Sequence, residues 1–137
     1  MPAQTMIQKL KLKPGLRAAM INAPVGYIEW LGKLPEGVTI SAKLTGKFDW
    51  LLVFVKNKAE LGKVAAKAIG ALKPEGVLWF AYPKGTSKMQ TDLTRDKGWE
   101  ILNGADLKWL VLISLNDTWS AFAMRPYKAG EERQSFR

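Results

Sequence analysis

Chemistry in this chain has to be done without cysteine or histidine, because the sequence contains neither. Thiolate and imidazole nucleophiles, thiolate zinc sites and imidazole general bases are therefore excluded together. Acid–base work would fall to Asp, Glu, Lys or Tyr. The most polar, turn-rich internal stretch is Pro83-Lys84-Gly85-Thr86-Ser87-Lys88. Lys84 and Lys88 supply charge, Thr86 and Ser87 supply hydroxyls, and Gly85 lets the backbone approach a ligand. That set suits an anion such as phosphate or carboxylate. A second polar turn, Lys56-Asn57, follows an apolar run, and Asn22 and Gly26 bound a loop after another. Asp117 and Trp119 sit at or beside the Asn116-Asp117 turn, where the indole could stack on a ligand. The candidate anion site is thus Asn22, Gly26, Lys56, Asn57, Lys84, Gly85, Thr86, Ser87, Lys88, Asp117 and Trp119. No residue is assigned as catalytic and no metal site is expected. Asp92 reads as a helix N-cap, and Asp117 itself as a turn residue.

These residues need a scaffold that gathers them, and the stretch from Asp49 to Lys84 provides it. Leu51–Val55 and Val77–Tyr82 are short, almost wholly apolar runs, as in central strands covered on both faces. Between them Leu61, Val64, Ala65, Ala68, Ile69 and Leu72 recur at the spacing of one helix face, with Glu60, Lys63 and Lys67 on the other. Asn57 and Glu60 form a capping box, and Pro74 stops the helix. The unit is strand, helix, strand. Leu16–Asn22 reads as an earlier strand, Tyr27–Gly32 as a short helix with Ile28 and Leu31 inward, and Val38–Leu44 as an edge strand. Thr91–Asn103 reads as a weaker helix. Leu107–Leu115 and Thr118–Arg125 flank a tight turn and read as a hairpin. The predicted fold is α/β: an open, mostly parallel sheet of about six strands, helices on both faces and a C-terminal antiparallel hairpin. Residues 1–13 form an N-terminal arm, 14–126 a single domain and 127–137 a flexible tail. In such a sheet, ligands bind outside the carboxyl ends of the strands, where the strand order reverses. The candidate residues fall on those ends.

The chain of 137 residues carries a net charge of +9, unevenly placed. Residues 1–48 hold seven basic and two acidic groups, 49–90 seven and three, and 91–137 seven of each. A basic N-terminal part favours anionic partners at a distance. Sixteen of the 21 basic residues are lysine and none sit in a dense run, so base-reading by arginine is not indicated. The sequence has no apolar run approaching a membrane span and no apolar segment of secretory type. With no cysteine to form disulfides, it is assigned to the cytoplasm.

The order of elements resembles class I methyltransferases, shortened, and hence a Rossmann-like fold. Lys13-Pro14-Gly15-Leu16-Arg17 looks like the lead-in to their first strand, and Phe48-Asp49-Trp50-Leu51-Leu52-Val53 like their fourth. Leu72-Lys73-Pro74-Glu75-Gly76-Val77-Leu78 looks like the helix end and turn before their fifth. The terminal hairpin looks like their sixth and seventh strands, the seventh inserted antiparallel. Together with the loop Asn22–Tyr27, the order is similar to a small bacterial family of uncharacterised domains of this fold. The resemblance implies S-adenosylmethionine as cofactor. Against the family pattern, Asn22-Ala23-Pro24-Val25-Gly26 has one glycine and a proline where a glycine-rich loop belongs, and Lys43-Leu44-Thr45-Gly46 has no carboxylate for ribose hydroxyls. The sequence reading is accordingly a non-catalytic, methyltransferase-like domain without cofactor that binds a small anionic ligand or a protein partner, as monomer or dimer. It is not expected to bind specific nucleic acid or a membrane. The alternatives are an S-adenosylmethionine-dependent methyltransferase with a degenerate cofactor loop, or a weak, non-specific nucleic-acid binder.

Overall fold

A computed structural model describes residues 6–31, 34–84, 93, 98–102, 107–128 and 130–131. Among these, six strands form one sheet: β1 (Arg17–Ile21), β2 (Thr39–Ser41), β3 (Phe48–Phe54), β4 (Leu72–Pro83), β5 (Leu107–Ser114) and β6 (Trp119–Pro126). Their spatial order is β2-β1-β3-β4-β6-β5. The first four pair in parallel, while β6 pairs antiparallel with both β4 and β5. This is the open, mostly parallel sheet with a terminal hairpin that the sequence predicts. Among the described residues three helices accompany it: α1 (Met6–Lys9), α2 (Tyr27–Leu31) and α3 (Lys58–Gly70), with a 3-10 turn at Glu100–Leu102.

The two-residue period of β3 divides the core. Trp50, Leu52 and Phe54 enter one apolar cluster, and Leu51 and Val53 enter the other. All five are fully or almost fully buried. Leu61, Ala65 and Ala68 of α3, with Leu93, Trp99 and Leu102, close the Leu51 face. Leu10, Leu12, Tyr27 and Leu31 close the Trp50 face. Both faces are therefore covered, as a parallel sheet requires. Ile28, expected inward, is 36% exposed, and Tyr27 takes the inward position on α2.

The start of the chain is tied in by an unusual acceptor. The Leu10 carbonyl accepts hydrogen bonds from two indole N–H groups, Trp50 Nε1 at 2.7 Å and Trp79 Nε1 at 2.9 Å. Both rings are fully buried. Buried indoles need an acceptor, and here one backbone oxygen serves two adjacent strands.

Several boundaries differ from the sequence reading. β4 begins at Leu72, ahead of the expected Val77, and runs through Pro74. Phe48 faces Leu72 and Trp50 faces Val77, so the register shifts and the chain bulges at Pro74–Gly76. A bulge is where a strand tolerates a residue without an N–H. Gly76 is dictated by close approach. A Cβ there would lie 2.6 Å from Leu72 Cδ1, 3.0 Å from the Lys73 carbonyl oxygen and 3.1 Å from that of Asp49. β2 is only three residues long, so most of Val38–Leu44 lies outside the ladder. Of the weak helix at Thr91–Asn103, the described part holds only the 3-10 turn. At the C-terminal end, Glu131 accepts from both Arg125 guanidinium nitrogens at 2.9 and 2.7 Å, from Lys108 at 3.1 Å and from the Lys128 N–H at 2.7 Å. The segment just after β6 is thereby fastened to the hairpin.

Candidate functional site

β1 has β2 on one side and β3 on the other, and this is where the strand order reverses. A cleft of about 650 Å³ opens at the carboxyl ends of β1 and β3. That volume lies within the range of small-molecule sites, roughly 300–1,000 Å³. One wall is the loop after β1, Asn22 to Val25. The opposite wall is Lys56 and the first turns of α3, through Glu60, Lys63 and Val64. Phe54 and Trp119 complete the lining.

Each wall follows from its sequence. Asn22 has φ of 59°, a left-handed conformation that asparagine tolerates better than most residues. Gly26 has φ of 81° and ends the loop before α2. On the other wall, Asn57 is the N-cap of α3, and its Oδ1 accepts from the Glu60 N–H at 2.9 Å. Glu60 reciprocates, its Oε1 accepting from the Lys56 N–H at 2.8 Å. Two polar side chains at the site are thus committed to starting the helix, which fixes its first turn beside β3. Glu60, Lys63 and Val64 are spaced i, i+3 and i+4 and share one face of α3. Trp119 is 5% exposed and packs edge-on against Phe54, centroids 5.0 Å apart. Phe54 is packed in the same manner by Tyr27 at 5.1 Å. Burial pushes the Tyr27 hydroxyl far above its ordinary pKa, so it stays protonated.

Asn22, Lys56 and Trp119 of the sequence-derived set line the cleft together. The other described members do not line it. Gly26 sits at the end of the loop with open space where a Cβ would be. Asn57 is spent on the cap. Lys84 follows β4, where its N–H donates to the Thr118 carbonyl at 2.7 Å and its Nζ donates to Ser114 Oγ at 2.6 Å. Asp117 is exposed in the β5–β6 turn. In that turn Asn116 Oδ1 accepts from the Thr118 and Trp119 N–H groups at 2.8 and 2.9 Å. Gly85, Thr86, Ser87, Lys88 and Asp92 lie outside the described residues. Sequence reasoning missed Glu60, Lys63 and Val64, although their helical spacing next to a strand end was a usable signal.

What the cleft can do is set by what remains free. Lys56 and Lys63 are exposed, and among the described residues neither is in an ion pair. At the end of β2, the Ser41 hydroxyl is occupied locally, donating to the Lys43 carbonyl at 2.9 Å. No carboxylate stands at that strand end. Among the described residues no group of Asp and Glu is placed to hold a metal ion, and no helix is long and apolar enough to cross a membrane.

No family model and no curated protein matches the chain in sequence. Solved structures do match in fold. A ribosomal protein L11 methylase from Lactobacillus delbrueckii subsp. bulgaricus aligns with a TM-score of 0.58 at 15% identity, covering 88% of this chain and 75% of that one. The DhpI–SAH complex aligns at 0.60 with 9% identity, over 89% and 82%. A SAM dependent methyltransferase from Aquifex aeolicus aligns at 0.52 with 14% identity, over 86% of each chain. The six-stranded sheet with its inserted antiparallel strand is the Rossmann-like fold of the class I methyltransferases.

Proposed function

We propose that the strand-end cleft takes an S-adenosyl compound, and that the chain is an S-adenosylmethionine-dependent methyltransferase with a reduced cofactor loop. The carrying observation is the position of the cleft, at the carboxyl ends of β1 and β3 where the strand order reverses. Its fold is shared with methyltransferases, one of them solved as an SAH complex. Volume and position fit such a ligand, and the left-handed Asn22 lets the loop turn without a glycine-rich run. The ribose end fits less well, since β2 offers no carboxylate and Ser41 is engaged. The reading therefore gives the Asn22–Val25 loop, Phe54 and Trp119 the task of holding the ligand, with correspondingly low affinity. S-adenosylmethionine brings an electrophilic methyl group. With Glu60 committed to the helix cap, the chain's contribution is to hold an acceptor in line and exclude water.

Titration calorimetry with S-adenosylmethionine and S-adenosylhomocysteine tests this. The expected dissociation constants lie near or above 100 μM, about −5.5 kcal/mol or weaker. No heat and no thermal stabilisation by either compound at several millimolar, tens of times a constant of about 100 μM, overturns the reading.

A further inference from the structure

We infer that the second occupant of this cleft, the molecule that receives the methyl group, is a small organic anion with an apolar body, its carboxylate or phosphate held by Lys56 and Lys63. The identification of this occupant as a methyl acceptor rests on the proposed function, whereas the anion preference rests on the cleft itself. Lys56 precedes the cap of α3 and Lys63 stands on the first turns of the same helix, both lining one wall. Neither ammonium is neutralised by a carboxylate among the described residues. The nearby acid that would be their natural partner, Glu60, directs Oε1 to the Lys56 backbone N–H. Two ammonium groups against the single carboxylate of Glu60 leave this concave, partly apolar surface net positive, which draws anions toward the cleft.

The remaining lining explains the apolar body. Val64, half-buried on α3 next to Lys63, presents carbon surface beside the two lysines, and Val25 projects fully into solvent at the lip of the cleft. A bare inorganic ion would leave that surface uncovered. An aryl or short alkyl acid covers it while its charged group meets the lysines. Charge-assisted contacts of this kind discriminate strongly against a neutral isostere, which brings no charge to either ammonium.

The experiment is a thermal-shift and calorimetric series on the full chain at constant ionic strength, with benzoate and phenyl phosphate as anionic probes and benzamide as neutral control. In the wild type both anions raise the melting temperature and benzamide does not. In the Lys56→Gln/Lys63→Gln variant the anion affinity falls about ten-fold or more, the loss expected for charge-assisted contacts. Its unliganded melting temperature stays that of the wild type, since neither side chain is buried or paired. Equal binding of benzamide and benzoate, absence of binding by either anion, or undiminished anion binding in the variant overturns the inference. S-adenosylhomocysteine is titrated in parallel into the wild type. Its failure to bind removes the methyltransferase reading while leaving the anion result to stand or fall separately.

Discussion

Truncating Leu10 should cost this domain a large part of its stability, although the residue lies near the start of the chain in a polar stretch. Its side chain is fully buried. Replacing a buried leucine by alanine costs about 2–5 kcal/mol through lost transfer energy and the cavity left behind. For a domain of this length that is a fall of roughly 8–15 °C in melting temperature. The backbone carbonyl adds a separable effect, because Trp50 and Trp79 both donate to it. Removing one indole donor by Trp→Phe forfeits a net ~0.5–1.5 kcal/mol of hydrogen bonding, while removing the second strands a buried acceptor at ~1–3 kcal/mol. The two substitutions should therefore be non-additive, each costing more in the background of the other. Denaturant melts of Leu10→Ala, Trp50→Phe, Trp79→Phe and the double variant measure both effects. A Leu10→Ala variant within about 3 °C of the wild type, or strict additivity of the tryptophan pair, would refute the assignment of Leu10 as a junction between the two strands.

Two further outcomes can be checked in the same way. Gly76→Ala should destabilise by about 1–3 kcal/mol, the range for overpacking, because its Cβ meets two backbone oxygens that cannot give way; a neutral substitution would show that the bulge relaxes. Asp49 accepts from the Arg17 N–H at 2.8 Å and faces Lys73 at 3.3 Å. The Arg17 hydrogen bond first, and then Lys73, hold its carboxyl below the ordinary value of 3.8. A depressed pKa stabilises the fold above the unfolded value, and that contribution is lost as pH falls through the folded one. Asp49→Asn should thus lower stability at neutral pH and flatten its decline below about pH 4; an unchanged acid limb in urea melts would contradict the assignment.

The parts of this fold legible in the sequence are those in which local pattern and tertiary role agree. The apolar runs at Leu51–Val55 and Val77–Tyr82 suited central strands covered on both faces, and the Asn57–Glu60 pair marked the start of α3 where it occurs. Pro74 misled because its usual meaning, a break, also holds inside a bulged strand. The role of Leu10 was invisible, since its carbonyl is backbone and its donors lie 40 and 69 residues away. The rule that ligands bind at strand ends singled out Asn22, Lys56 and Trp119, which line the cleft. It also gathered Asn57 and Lys84, whose local structural duties sequence cannot separate from binding, and Asp117, which lies exposed in the β5–β6 turn. Lys63 escaped notice because a lysine on the polar face of a helix reads as solvated until the facing loop is known. The missing glycines and carboxylate weighed toward a non-catalytic domain, while the fold itself is one shared with solved methyltransferases.

The insertion of β6 between β4 and β5 sets an order of events during synthesis. β1, β3 and β4 emerge first and can pair in parallel, but the outer edge of β4 stays open until Trp119–Pro126 has been made. At translation rates of ~5–20 residues per second that interval lasts on the order of a few seconds. Throughout it, the apolar ladder Leu78–Tyr82 offers unpaired amides and carbonyls to any neighbouring strand. A nascent chain stalled within β5, or a product cut before β6, keeps that edge permanently. Protection of that edge thus falls to β6, whose arrival pairs β4 and leaves β5 as the outer strand on that side.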